Sequence, residues 1–547
     1  MPRVRSMLNH HEPLMVAVDY VVDGPRTAAA VAAGRSRLTG MNYQTADNLP
    51  QEVAANEAAG VLHGLDGRPR LYNDVLFELA VEAQNDLPSP AGIDDIDDIR
   101  TMLCLLFGGD PGGNQELAID RGERIRIGLD RVHNPLALCA RLSQQIAVAH
   151  LHDLYREIEL PVLAPVLAMT LGGVRVNRLV LESIAASSAA QMEIAQRQVQ
   201  EIAGRPLNLD SSPELIHYLY EELGLPVPSW TANNNPSTSN KALQALATQH
   251  PAASPILAYQ QQKPVRDTAI SLLDNLGPDS IVHAVLDPLG AATGRFSCSS
   301  PNLQGLAAPV LPAIEAAPGC VLMEADYSQM ELRVLAHFSQ DPALLHAFQH
   351  DIDLHIRTAS QVLDIAEDAV TDEQRQLGKT LNFGIVYGQT AYGLADELGV
   401  PMQRAEELLA ADATAYPGVA AWIAAVHAQA GNVGEVRTLY GRRRYLPNIH
   451  SANDTLAAES RRHAVNTIVQ GTAADLMKLA LIRLNDALPD EVRMLLPVHD
   501  SVLLEVPSGL VEETRRIVVA AMESVPNGFT VPLRIDIHTG RTWADCK

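Results

Sequence analysis

Asp326-Tyr327-Ser328-Gln329-Met330-Glu331-Leu332-Arg333 is the stretch that decides how this chain reads. It follows the apolar run Val321-Leu322-Met323 and a small turn at Glu324-Ala325. Apolar residues then recur at Met330, Leu332, Val334, Leu335 and Phe338, so the period changes from strand-like to helix-like. An Asp at the end of a buried strand, just ahead of a helix, is well placed to hold a metal ion. Alone, Asp326 reads more readily as a helix cap or turn residue, and the rest of the chain has to decide.

The 547 residues predict two or more domains with ample core. A hydrophobic content of 47% and a charged content of 19% are those of a globular protein. No apolar run reaches the roughly 18 residues a membrane span needs, and Met1–Pro13 lacks the apolar core of a signal peptide. Five scattered cysteines show neither metal spacing nor a disulfide framework, so a reducing cytoplasm is expected. The net charge of −24 argues against nucleic acid on the simplest rule. It does not exclude it, because phosphate binding depends on local basic patches. The acidity is spread, −9 over residues 1–160 and −15 over the rest, so it marks no tail.

Residues 15–18 read as a strand leading to Asp19, and Asn73 to Val81 as the start of a helix. The acidic cluster Asp94 to Asp98 reads as a solvated cap before Met102-Leu103-Cys104-Leu105-Leu106. A long helix is expected through residues 136–161, broken or restarted at Pro161, and another over 181–202. Residues 226–240 are a polar Pro/Ser/Asn loop, followed by short helices near 241–248 and 255–275. Helices are expected across 340–430 and 455–488, with a hairpin over 435–447. Met494 to Val506 reads as a second hairpin with His499-Asp500 at its turn.

Three constellations carry chemistry. Arg375, Lys379, Phe383 and Tyr387 are spaced by four, hence along one helix face. Two cations and two rings suit a triphosphate and a base, although an ordinary amphipathic helix has the same pattern. Glycines at 378, 384 and 388 weaken that helix and permit close approach of a ligand or partner, or bending. Asp500 at a tight turn, beside an Asp at another strand end, would supply the carboxylate pair of two-metal phosphoryl transfer. Arg295, Asn302, Gln304, Arg462, Asn466 and Gln470 flank these elements, and Asn466 and Gln470 lie one turn apart. Amides in a groove can bond to the minor-groove acceptors that all base pairs present.

DYSQMELR (326–333), RQLGKTLNFGIVYG (375–388), RRHAVNTIVQGTAADLMK (461–478) and VHDSVLLE (498–505) occur in the order and spacing of the family A, polymerase I-like DNA polymerases. TGRFSCSSPNLQGL (293–306), DLHIRTA (353–359) and TLYGRRRYLP (438–447) fit the same family, and the resemblance covers the chain from about 150 onward. It implies an α+β and α/β multidomain chain: a right hand of palm, fingers and thumb after a reduced ribonuclease H-like exonuclease-type domain. The expected bounds are 1–155 for the exonuclease-like domain and 156–547 for the polymerase. Within the latter the thumb is about 175–285, the palm about 286–340 and 440–547, and the fingers about 341–439. Asp326 and Asp500 would be catalytic metal ligands with the Tyr327 carbonyl, holding two Mg²⁺ ions for which Mn²⁺ could substitute. Arg375, Lys379 and His355 would hold the triphosphate, with Gln329 beside them, and Phe383 and Tyr387 would face the sugar and templating position. Glu331 would be the steric gate against a 2′-hydroxyl. Arg295, Asn302, Gln304, Arg462, Asn466, Gln470 and His499 would contact DNA. The partners implied are primer–template DNA and dNTPs, with a monomer acting in the cytoplasm and no membrane.

Some positions depart from the family. Its motif C reads His-Asp-Glu, whereas here Ser501 stands third and removes an accessory carboxylate. His-Asp-Ser also resembles single-subunit RNA polymerases, so an RNA polymerase-like or sugar-tolerant enzyme is the alternative. A catalytically inactive DNA-binding protein is the remaining one. Leu286-Asp287-Pro288-Leu289 replaces the family's Gln and aromatic residue ahead of TGRFS. The exonuclease motifs Asp-x-Glu and Tyr-x-x-x-Asp are degenerate: Asp19-Tyr20-Val21 keeps one acid, Asn73 to Glu78 offers a Glu, and Leu138 to Ser143 has neither residue. No proofreading is expected. A compact polymerase with no room for a 5′-nuclease points to a phage or other mobile element as source.

Overall fold

The computed structural model describes residues 15–45, 51–64, 68–90, 96–108, 126–127, 130–131, 134–231, 234–386, 390–524 and 528–547, without the side chains at 64, 383, 385 and 386. The chain divides into two compact units: residues 1–173, 283–299 and 323–537, and residues 174–282, 300–322 and 538–547. The second unit takes in nearly all of the expected thumb span.

The first unit opens with strands β1 (Val16–Asp23), β2 (Arg37–Thr45), β3 (Gln51–Ala54), β4 (Arg70–Tyr72) and β5 (Ile96–Asp98) in one sheet of order β3-β2-β1-β4-β5. β1 runs antiparallel to β2 and parallel to β4, and helices Val75–Gln84 and Ile99–Phe107 follow β4 and β5. Of the acidic cluster, Asp94 and Asp95 lie outside the described residues, and the part that is described is not solvated. Asp97 and Asp98 are buried; Asp98 accepts from Thr101 N at the start of Ile99–Phe107, and Asp97 pairs with Arg156 at 2.6 Å. Asp98 is a cap, but burial pushes its carboxyl up to about 7, with Asp74 adding to the shift. The helix expected through 136–161 ends at Val148, because His150 takes a positive φ of 57°. A π-helical turn, Leu154–Glu159, and helix Leu163–Gly172 continue the chain.

In the second unit, β6 (Val174–Arg175) pairs with β7 (Ile281–Val282). Helices Arg178–Ala203 and Ala253–Asp274 pack together, and Leu207, Leu215, Leu219, Leu243, Leu246 and Ile256 close a core at one end. The latter helix is long, with Pro264 inside it.

Back in the first unit, β8 (Val285–Asp287) pairs with β9 (Ser297–Ser299). β10 (Cys320–Tyr327) lies in a four-stranded sheet with later strands and leads into helix Met330–Ser339. The strand runs on through Glu324-Ala325, so the turn expected there is absent. Helices make up most of the described residues of 342–433, as their periodicity predicts. β11 (Glu435–Arg437) and β12 (Arg443–Tyr445) form the first hairpin, and Asp454–Ala487 is one unbroken helix. β13 (Arg493–Val498) and β14 (Ser501–Pro507) form the second hairpin, and β15 (Ile535–Gly540) completes the sheet in the order β13-β14-β10-β15. Among the described residues no single helix is long and apolar enough to cross a membrane.

One buried charge among the 342–433 helices sets a pH dependence. Asp412 is 4% exposed, its Oδ1 has no hydrogen-bond partner among the described residues, and burial with Asp341 nearby pushes its carboxyl up to about 7. Between about pH 4 and 7 the unfolded chain has released this proton while the folded chain keeps it, so stability falls as pH rises through that window. Asp412→Asn removes this fall. It should raise Tm by about 2–4 °C at pH 8 and leave Tm at pH 4 unchanged, as read by calorimetry.

Candidate active site

Two strand ends build the site. β10 places Glu324 and Asp326 on one face and Tyr327 on the other, because side chains alternate along a strand. Tyr327 N donates to the Asp500 carbonyl at 3.1 Å, and Ser328 N donates to the Arg534 carbonyl at 2.9 Å. The end of β10 is thus tied on both sides, and Asp326 stands beside the β13–β14 turn that carries Asp500. That turn has two residues, His499 and Asp500, with His499 at φ 54°. Gln329 also has φ 54° and makes the sharp step from strand to helix. Asp326 is exposed and Asp500 half-buried. Burial raises the Asp500 carboxyl, while Arg295 and His499 pull it back. Tyr327 is buried, and its hydroxyl donates to Met522 O at 2.7 Å.

Ser501 follows Asp500 and is buried, and its hydroxyl donates to Glu324 Oε1 at 2.9 Å. Glu324 is itself 3% exposed, two residues before Asp326. A carboxylate therefore stands against the position where Ser501 lacks one. The sequence reading misses Glu324 because Glu324-Ala325 reads as a turn.

Glu331, on the first turn of Met330–Ser339, is 3% exposed and ion-paired with Arg295. Arg295 follows Gly294, whose φ is 83° and where a Cβ would collide with the Arg442 guanidinium. Only glycine lets this turn lie on that side chain. Arg442 is fixed by Asp475 at 2.9 Å and by Glu159, and Lys478 Nζ reaches Glu159 and the Pro288 carbonyl at 2.8 Å each. These two acids and two bases are all buried, so their charges cancel where solvent cannot screen them. Burial pushes the Glu159 carboxyl up, but Arg442 and Lys478 outweigh it and hold it below the usual range; burial lowers the Lys478 ammonium. The cluster clamps both ends of the 288–294 loop that presents Arg295.

The cationic helix is Asp372–Val386. Arg375 Nε donates to Asp353 Oδ2 at 2.9 Å, and Lys379 is exposed one turn on. Asp353 also accepts from His355 N and Ile356 N at the start of helix Leu354–Leu363. His355 is buried, and burial lowers its imidazole, with Arg375 and Lys379 adding and Asp353 opposing. A Cβ at Gly378 would collide with the His355 carbonyl, so that glycine serves close packing of the two helices. Phe383 lies on this helix with its side chain undescribed, and Tyr387 lies outside the described residues. Arg462, Asn466 and Gln470 are half-buried on one face of Asp454–Ala487, and Asn466 Oδ1 is buried without a hydrogen-bond partner among the described residues. Asn302 and Gln304 belong to the second unit, where Asn302 Oδ1 accepts from Gln304 N at 3.0 Å.

The model of the family described as DNA polymerase family A matches residues 178–545. The chain is 37% identical over 408 residues to the thermostable DNA polymerase I of Thermus aquaticus, covering 72% of this chain and 48% of that protein. It is 37% identical over 410 residues to the DNA polymerase I of Pseudomonas aeruginosa, covering 73% and 45%. It thus spans about half the length of these relatives. Among solved structures it is similar to the POL domain of Pol1 from M. smegmatis in complex with DNA primer-template and dNTP. That match has a TM-score of 0.87 and 27% identity, and covers 99% of this chain and 98% of that one, which gives the right-hand polymerase fold. The chain belongs to DNA polymerase family A.

Proposed function

We propose that this chain is a template-directed DNA polymerase that adds dNMPs to a primer 3′-hydroxyl and lacks effective 3′–5′ proofreading. The observation that carries the reading is the Tyr327 N to Asp500 O bond, which sets Asp326 and Asp500 at adjacent strand ends. Asp326, Asp500 and the Tyr327 carbonyl offer oxygen donors only, the set that suits Mg²⁺. Among the described residues no group of three or more His, Cys, Asp or Glu side chains could hold a metal. Divalent ions there would neutralise charge on the phosphates and lower the pKa of the attacking hydroxyl.

The chain's own residues do the rest. Arg375, Lys379 and His355 bind the triphosphate, with Gln329 beside His355, and Phe383 and Tyr387 meet the nucleotide and template. Glu331 packs on the sugar. Arg295, Asn302, Gln304, Arg462, Asn466, Gln470 and His499 bind the primer–template. Glu324 stands against Ser501, which donates to it at 2.9 Å. The released group is pyrophosphate, displaced in line by the primer 3′-oxygen.

The N-terminal sheet supports the absence of proofreading. Arg26 lies 2.6 Å from Asp19 and 3.6 Å from Glu78, so a guanidinium already occupies the space between the two acids, and burial, with Asp74 and Asp19 adding, pushes the Glu78 carboxyl well above the usual range. Helix Pro135–Val148 brings neither Tyr nor Asp. Incubation with a primer–template whose 3′ end is matched or mismatched should give extension of the matched end and no trimming of either. Trimming abolished by Asp19→Ala would overturn this part of the reading, and failure to extend the matched end would overturn the whole.

A further inference from the structure

Asn382, on helix Asp372–Val386, is 1% exposed, and its amide is held at three points. Nδ2 lies 3.4 Å from the Leu354 carbonyl oxygen and 2.9 Å from His355 Nδ1, and Oδ1 lies 2.8 Å from Thr358 Oγ1. A carbonyl can only accept, so the end of the amide facing Leu354 is the NH₂ group. That group donates to His355 Nδ1, which must therefore be unprotonated. At the other end the amide oxygen can only accept, so the Thr358 hydroxyl donates to it. Thr358 Oγ1 also lies 2.7 Å from Tyr416 Oη and, with its proton committed, must receive there. Tyr416 is buried, and burial pushes its hydroxyl up to about 12, so it keeps the proton it donates. The donations run one way, from Tyr416 through Thr358 and Asn382 to Nδ1. The Gln329 side-chain nitrogen lies 3.5 Å from His355 Nε2, but a neutral ring that already receives at Nδ1 cannot also receive there, so the longer Gln329 contact must present its amide oxygen to an Nε2–H.

We propose that Asn382 is a positioning residue that fixes His355 as the Nε2–H tautomer, so that Nε2 donates a hydrogen bond to a phosphate oxygen of the incoming nucleotide. The proposal rests on the polymerase reading for the identity of that ligand, while the tautomer itself does not depend on it. Burial, Arg375 and Lys379 favour the neutral ring, and Asp353 opposes them. A neutral ring with the other tautomer would turn a lone pair toward the phosphates and repel them. An amide that only filled the helix interface would leave the two tautomers unsorted.

Two measurements test this. In the ¹⁵N-histidine spectrum of the full chain, the His355 resonances, assigned by their loss in His355→Gln, should report a neutral ring protonated at Nε2. A ring protonated at Nδ1 overturns the proposal even if the chain proves to have no polymerase activity. In single-nucleotide incorporation, Asn382→Leu should raise KM for dNTP about tenfold with kcat within about threefold, the loss of roughly one hydrogen bond. In a His355→Ala background the same change should move KM less than about twofold, because the partner it acts through is gone. Asn382→Asp keeps the shape, and its carboxylate would hold the proton on Nδ1. KM should then be low while the ring is an imidazolium and rise as pH passes its raised pKa, whereas the unsubstituted chain has a flat KM from pH 6.5 to 8.5 (about two units on the imidazole scale). An equal KM rise in both backgrounds, or a flat profile for Asn382→Asp, would show a merely structural role.

Discussion

Asp326→Ala and Asp500→Ala are each expected to slow primer extension by on the order of 10³-fold or more, since each removes half of the carboxylate pair on which phosphoryl transfer depends. Primer–template affinity should change little, because it is spread over many phosphate and groove contacts. The fold should survive both changes. Asp326 is exposed at its strand end. Asp500 is a carboxylate whose burial raises its pKa. Above that pKa the folded state holds an unfavourable buried charge, so Asp500→Ala should leave Tm equal or higher at pH 8. Rapid-quench extension, fluorescence anisotropy with labelled primer–template and a melting curve separate these effects. Extension by either variant at near the parent rate would remove that residue from the catalytic pair.

Glu331→Ala is expected to cost the enzyme its choice of sugar. Glu331 is 3% exposed and held by Arg295, so its stem cannot swing aside to admit a 2′-hydroxyl. Alanine opens that space, and discrimination between dNTP and NTP, as the ratio of kcat/KM values, should fall by on the order of a hundredfold. Arg295 also loses its partner, and efficiency with dNTP should drop about tenfold. Glu331→Gln separates the two effects. It keeps the bulk and weakens the ion pair, so sugar discrimination should be retained while efficiency falls. Unchanged discrimination in Glu331→Ala would mean that another side chain sets the gate.

Local features of the site are legible in the sequence. The change of period around Asp326, the two-residue turn at His499-Asp500 and the spacing of Arg375 and Lys379 are each set by a few neighbouring residues, and the structure has the strand, hairpin and helix they predict. Contacts made across the fold are not legible. Glu324 reads as part of a turn because nothing near it says that the Ser501 hydroxyl, 177 positions on, donates to it across the sheet. Asp97 and Asp98 read as solvated because composition does not show Arg156 and Tyr155 folding over them. Glu159, Arg442, Asp475 and Lys478 look like ordinary surface charges one by one, and only their mutual pairing permits burial. The helix expected through 136–161 breaks at His150 without a proline or glycine to announce it. Gly378 is the intermediate case: its small size marks a close approach, and the structure identifies the neighbour as the His355 backbone.

The most direct test offers the unsubstituted chain a primer–template and one dNTP at a time, with Mg²⁺ and with a chelator. The account predicts addition of the complementary nucleotide only, in Mg²⁺ only. Absence of extension, or addition that ignores the template, would contradict it.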